Sequence, residues 1–225
     1  MGRRKAKTNK IKRTATMGNN FILRSYKMTH EGYNAPNFNS GILTNTLCMG
    51  QHRKNFNPNE WIAGFSCKSL DGSQAGQEKL IYLAKVSQKL TLDEYWHKYP
   101  QKRLDNDEFG DNIYKPTSNG FVKVDKYGEE KKNIIANCVI VCDEFYYFGV
   151  ANMIAVPNRK DIALARVGSI TKDSNVINNL VTFVRNNKSK CIKYRDNNGN
   201  LGGNGIVQNI SASGACGGAN QTSKC

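Results

Sequence analysis

The sequence predicts an α+β fold, one strand-rich mixed domain with two or three helices, from three observations. Runs with two-residue alternation or continuous β-branched character recur at 21–28, 61–65, 80–86 and 134–142. Helical spacing is clear only at Val176, Ile177, Leu180, Val181 and Val184. Composition shifts at both ends, which predicts a basic disordered arm over 1–19, a single domain over 20–194 and a flexible Gly/Asn/Ser-rich tail over 195–225.

In chain order, FILRSYKM reads as a strand with Ile22, Arg24, Tyr26 and Met28 on one face and Phe21, Leu23, Ser25 and Lys27 on the other. A loop follows in which Gly32, Asn34, Pro36, Asn37, Asn39 and Gly41 favour turns, while Tyr33 and Phe38 add rings. Gly41 to Leu47 fits a short strand, with Leu43 and Leu47 also at helical spacing, and QHRKNFNPNE forms a turn around Pro58. Trp61 to Phe65 reads as a buried strand, 69–77 as a loop, and Leu80 to Val86 as a second core strand. Thr91-Leu92-Asp93-Glu94 is a capping box, so a short helix should run through Trp96 and end before Pro100. After a polar stretch with a short strand at Phe121 to Val124, Ile134 to Cys142 reads as a central strand that leads into Phe145-Tyr146-Tyr147-Phe148. The helix over 174–184 is capped by Asp173 or Ser174, and a last strand is expected at Gly205 to Ile210.

The 225 residues carry a net charge of +15, with pI near 9.5. That surplus draws polyanions, and nucleic acid is the first partner it implies. Seven Lys or Arg lie between Arg3 and Arg13, before the first acid at Glu31, so part of the surplus is an arm in which Arg3, Arg4 and Lys5 suit phosphate contact, with Arg53 and Lys54 further on. No apolar run reaches the roughly 18 residues of a membrane span, and no apolar segment follows the N-terminal charges. The expected place is the cytoplasm, or the nucleus of a eukaryotic host.

The seven cysteines contain no CxxC pair, the three histidines no HxxxH or HxH, and the chain no GxGxxG, Walker loop, GxSxG or HExxH. Reduced thiols and no metal site are expected, and no cofactor is indicated. Cys48 is a candidate nucleophile because His52 and Arg53 follow it and a nearby cation favours thiolate. His30 beside Glu31 has the type of a general base. Cys138 and Cys142, on one strand face about 13 Å apart by strand rise, read as core. Asp143 at a strand end is an acid, base or ligand candidate, and Tyr146 or Tyr147 offers a ring on which a base can stack.

The ordered pieces SYKMTHEGYNAPNF, ILTNTLC, NEWIAGFSCKS, KLIYLAKVSQKLTLDEYW, Lys102-Arg103, GDNIY and VIVCDEFYYFG resemble the nucleotide modification associated domain 2 family of phages, viruses and bacteria, from about Leu23 to Val156. Matching polar positions are Tyr26, Lys27, Thr29, Asn37, Thr44, Cys48, Tyr95, Trp96, Asp111, Asn112, Tyr114 and Asp143 to Gly149, with departures at His30-Glu31 and Phe38. The resemblance implies modification of bases in DNA or nucleotides and carries no catalytic residues over. The expectation is a base-modifying transferase whose cleft joins the Tyr26 to Asn37 segment, Cys48 and the Asp143 to Tyr147 strand end. In it Lys27, Asp143 and Cys48 do chemistry, while Tyr26, Thr29, Asn37, Asn112, Tyr146 and Tyr147 hold the base. Two alternatives stand beside it. One is a reader with a PUA-like barrel, from the rhythm of Trp61 to Ser66 followed by KLIYLAKVS and a helix. The other is an ADP-ribosyltransferase-like enzyme using NAD, from SYKMT followed by SGIL.

Overall fold

A computed structural model describes residues 21–29, 36–47, 49–107, 110–124, 130–166, 168–192, 194–195 and 201–202. The elements begin with β1 (Leu23–Lys27), β2 (Leu43–Asn45), α1 (Gly50–Arg53), β3 (Trp61–Phe65), α2 (Lys68–Asp71), β4 (Leu80–Lys85) and β5 (Gln88–Leu90). They continue with α3 (Leu92–Lys98), β6 (Tyr114–Thr117), β7 (Gly120–Lys123), α4 (Glu130–Ala136), β8 (Val139–Cys142) and β9 (Glu144–Tyr147). β10 (Ser169–Thr171), α5 (Ser174–Asn186), β11 (Tyr194–Arg195) and β12 (Leu201–Gly202) follow. The main sheet has the order β10-β1-β3-β4-β9, with β1 parallel to β3 and the other pairs antiparallel. A second sheet, β2-β8-β5, lies beneath it, and β6–β7 and β11–β12 form two-stranded pairs.

The architecture is α+β and strand-rich, as the patterning predicts. Among the described residues the main sheet stays open, with β10 and β9 as its edges, so the PUA-like barrel is not formed. β3 and β4 do pair directly, which is the source of the barrel-like rhythm.

Both faces of the main sheet are covered. Leu23, Trp61, Phe65, Leu83, Tyr146 and Phe148 pack on one side against Ile177, Leu180, Val181 and Val184 of α5, the stripe read from the sequence. Each such side chain contributes roughly 1.5–3 kcal/mol on burial. On the other side Tyr26, Met28, Ile62, Tyr82, Phe145 and Tyr147 meet Leu43, Ile140 and Cys142 of the second sheet. Val139 and Val141 point away from that layer, toward Leu92, Tyr95 and Tyr99 of the α3 region. The pleat alternates as expected along β1, β8 and β9.

The capping box closes as predicted: Thr91 Oγ1 accepts from Glu94 N at 3.1 Å, and the Glu94 carboxylate accepts from Thr91 N at 2.7 Å. Asp173 caps α5 by accepting from Asn175 N and Val176 N. Three segments differ from the sequence reading. Residues 134–136 end α4 rather than open a strand, because Asn137 takes a left-handed φ of 41° that stops the helix, while its Oδ1 accepts from Leu92 N. Cys138 therefore precedes β8 instead of sharing it with Cys142, although both thiols are buried. The segment after Met49 makes the short helix α1 before turning, and 68–71 make α2.

Gly64 sits between Tyr26 and Tyr82 in the sheet register, and its missing side chain lets those hydroxyls meet at 2.8 Å. A Cβ at Gly64 would stand 2.4 Å from the Tyr82 ring and 2.5 Å from Met28 Sδ. Gly64→Ala should therefore cost about 1–3 kcal/mol through overpacking, seen as a lower urea midpoint at unchanged m-value.

Candidate functional site

The pleat of β1 sends Arg24 and Tyr26 to the face of the second sheet, at the β10 edge. There Gly168, Ser169 and Ile170 lie beside them, and the chain around α1 adds Met49, His52, Asn55 and Phe56. Together with Ser25 these residues line a cleft of about 200 Å³. This is smaller than the roughly 300–1,000 Å³ of drug-sized pockets and suits one flat heterocycle.

Its polar groups are well anchored. Arg24 grips Glu60 with two hydrogen bonds, Nε to Oε2 at 2.5 Å and Nη2 to Oε1 at 3.2 Å, and lies 5.6 Å over the Phe56 ring. Burial pushes the Glu60 carboxyl up, but the hydrogen bonds from Arg24 and Asn57 outweigh it and hold the group below the usual carboxylate range. Burial pushes the Tyr26 hydroxyl up to about 12, so it is neutral and tied to Tyr82. Gly168 has φ +117°, a conformation for glycine, and a Cβ there would meet His52 Nδ1 at 3.7 Å. Among the described residues no carboxylate lines the cleft, and His52 supplies its imidazole.

Of the residues singled out in the sequence, Tyr26 lines this cleft, and Lys54 is exposed between His52 and Asn55. Lys27 projects to the opposite face of β1, where its ammonium lies 2.8 Å from Glu78, a carboxylate also held by Arg159 at 3.1 Å. Asn37 is buried with its amide oxygen accepting from Lys102, and Asn112 is buried, donating to the Tyr95 and Tyr99 carbonyls at the end of α3. Tyr147 is fully enclosed, 4.1 Å from the Phe38 ring and 6.1 Å from that of Tyr82; Tyr146 is buried and donates to Glu144 at 2.9 Å. Asp143 is exposed at the bend between β8 and β9, and Thr29 is exposed beyond β1. Arg53 is buried and donates to Asn133 Oδ1. The Tyr26 and Tyr147 segments do meet through Tyr82, as packed rings rather than as two walls of an opening. Cys48, His30, Arg3, Arg4, Lys5 and the expected strand at 205–210 lie outside the described residues.

His52, Phe56 and the Gly168 to Ile170 edge are the functional candidates that the sequence reading missed. His52 had a signal, its place four residues after Cys48, but β10 has none, because only the fold brings it beside β1.

Several of the remaining polar positions converge on a buried network. Asp111 accepts from Thr44 at 2.9 Å, Thr46 at 2.7 Å and Tyr95 at 2.6 Å. Lys102, fully buried, donates to Asn37 Oδ1 at 2.7 Å and to the Ile42 carbonyl at 2.8 Å. Burial lowers the Lys102 ammonium to about 8, against the opposing pull of Asp111 and Asp107. Between about pH 8 and the unfolded lysine value near 10.4, the unfolded chain binds the extra proton, so stability from this site rises with pH across that window. Urea unfolding at pH 7.5, 8.5 and 9.5 should show the gap between the parent and Lys102→Met widening with pH; a constant gap would refute the depressed ammonium.

Among the described residues no cluster of His, Cys, Asp and Glu is assembled to hold a metal ion, and no helix is long and apolar enough to cross a membrane. No curated protein and no solved structure matches the chain. The profile of one family does match, over residues 21–194, from the strand that carries Tyr26 through α5. With most of its length matched, the chain belongs to the nucleotide modification associated domain 2 family.

Proposed function

We propose that the protein modifies a nucleobase, in nucleic acid or in a nucleotide, and that the base enters the cleft of Arg24, Tyr26, His52 and Ile170. The observation that carries this reading is the lining itself: a space for one heterocycle, bounded by apolar Met49 and Ile170, a guanidinium, an imidazole and the Asn55 amide. Apolar flanks favour a flat π-system, and an amide carries both a donor and an acceptor for a base edge. His52 moves a proton at the ring position being modified, the role that the sequence reading gave to Lys27 or Asp143. The Tyr26–Tyr82 hydroxyl pair fixes the floor.

A second reading, a module that binds a modified base without changing it, draws on a described lining that holds no carboxylate. Nucleoside mass spectrometry on DNA and RNA from cells with and without the gene separates the two. The expected result is a new nucleoside mass that is lost with His52→Ala and reduced with Tyr26→Phe. An unchanged profile, with saturable binding of modified but not plain oligonucleotides, would move the assignment to the reader. A new mass that survives His52→Ala at full level would remove His52 from the chemistry.

A further inference from the structure

Two lysines from separate elements meet at a shoulder beside the cleft. Lys54 stands at the end of α1, in sequence between His52 and Asn55 of the lining, and is exposed. Lys89 of β5 reaches across and donates its ammonium to the Lys54 carbonyl. Beneath them Arg53 is buried, and the charges that act on the Cys138 thiol at this point, those of Arg53, Lys89 and Lys54, are all positive.

A lysine on an edge strand such as β5 needs no ligand, since it discourages strand pairing between molecules. That account does not extend to Lys54. The cleft holds one heterocycle, so a sugar and phosphates attached to it must lie outside, and the shoulder presents cations where they would emerge.

We propose that the shoulder of Lys54 and Lys89 is a track for a phosphate backbone, so that the cleft takes a base belonging to a polynucleotide strand rather than a free nucleotide. This rests on the cleft being the base site. Each phosphate neutralised releases counterions, and for a single strand the slope of log K against log salt changes by about 0.7 per phosphate.

The test uses the full chain, with 12-nucleotide single-stranded DNA and RNA, the matching duplexes, mononucleotides and uncharged nucleosides as probes, titrated between 50 and 400 mM KCl. Single strands should bind more tightly than mononucleotides. Lys54→Gln with Lys89→Gln should lessen the salt slope by about 1.4, since two phosphates are no longer neutralised, and leave nucleoside binding unchanged. The basic N-terminal arm is present in both proteins, so the difference in slope reads the shoulder alone. Lys188→Gln with Lys190→Gln, exposed changes after α5 on the other side of the main sheet, should leave the slope as it is. An oligonucleotide slope that the shoulder variant does not alter would overturn the track while nucleoside binding keeps the base site. Loss of both oligonucleotide and mononucleotide binding in the parent protein would overturn the base site as well. A duplex preferred over single strands would overturn the single-strand form of the track.

Discussion

The two-residue pleat of β1, inside a sheet covered on both faces, decides which candidate residues can meet. Tyr26 and Lys27 are neighbours in the chain, and the pleat forces their side chains into different layers. Tyr26 joins Tyr82 and the cleft, while Lys27 joins Glu78 and Arg159 on the side of α5. A burial this complete also demands that each polar group find a partner, because an unpaired buried donor or acceptor costs about 1–3 kcal/mol. Ser25 meets that demand by donating to the Ala163 carbonyl, across 138 residues of sequence, and so ties β1 to the chain that leads into β10. The cleft at that edge is a consequence of this closure.

The polar positions on which the family resemblance rests divide between scaffold and site in a physically sensible way. Asn37, Thr44, Tyr95, Asp111 and Asn112 all make buried hydrogen bonds that join β2, α3 and the chain between α3 and β6. A network of this kind is costly when partly satisfied and specific when complete. Its residues must therefore occur together and in order, which gives them the look of an active-site motif when they are read along a line. Arg53 and Asn133 repeat the pattern beside Tyr114, whose hydroxyl accepts from Asn133.

Local signals were legible in the sequence: the Thr91 capping box, the Asp173 cap with its apolar stripe, and the β-branched and aromatic runs of β3, β4 and β9. Each depends on neighbours within a few residues or on one period. The boundary between α4 and β8 was not legible, because Ile134-Ile135-Ala136 is apolar under either period and the stop lies in the φ of Asn137, an asparagine that also satisfies Leu92 N. The cleft was half legible. Tyr26 carried an aromatic signal, whereas His52 gains meaning only beside Gly168, and that proximity is a property of the β1–β10 pairing.

Charge follows the same logic of inside and outside. Among the described residues the buried cations are Arg53, Lys102 and Arg159, and the buried carboxylates are Glu60, Glu78 and Asp111. Burial thus withdraws equal numbers of each sign, and among the described residues the remaining charge is left at the surface. Had the core absorbed mainly lysine and arginine, the formal charge of +15 would overstate the field that a polyanion meets. Because it does not, a surplus that one could assign to the N-terminal arm alone also stands on the folded domain. At the cleft the Arg24–Glu60 pair balances the guanidinium's charge, and on the proposed reading the attraction for anions falls to Lys54 and Lys89 beside it. On the proposed reading the site is divided by charge into a nearly neutral pocket for a base and a positive rim for the backbone that carries it.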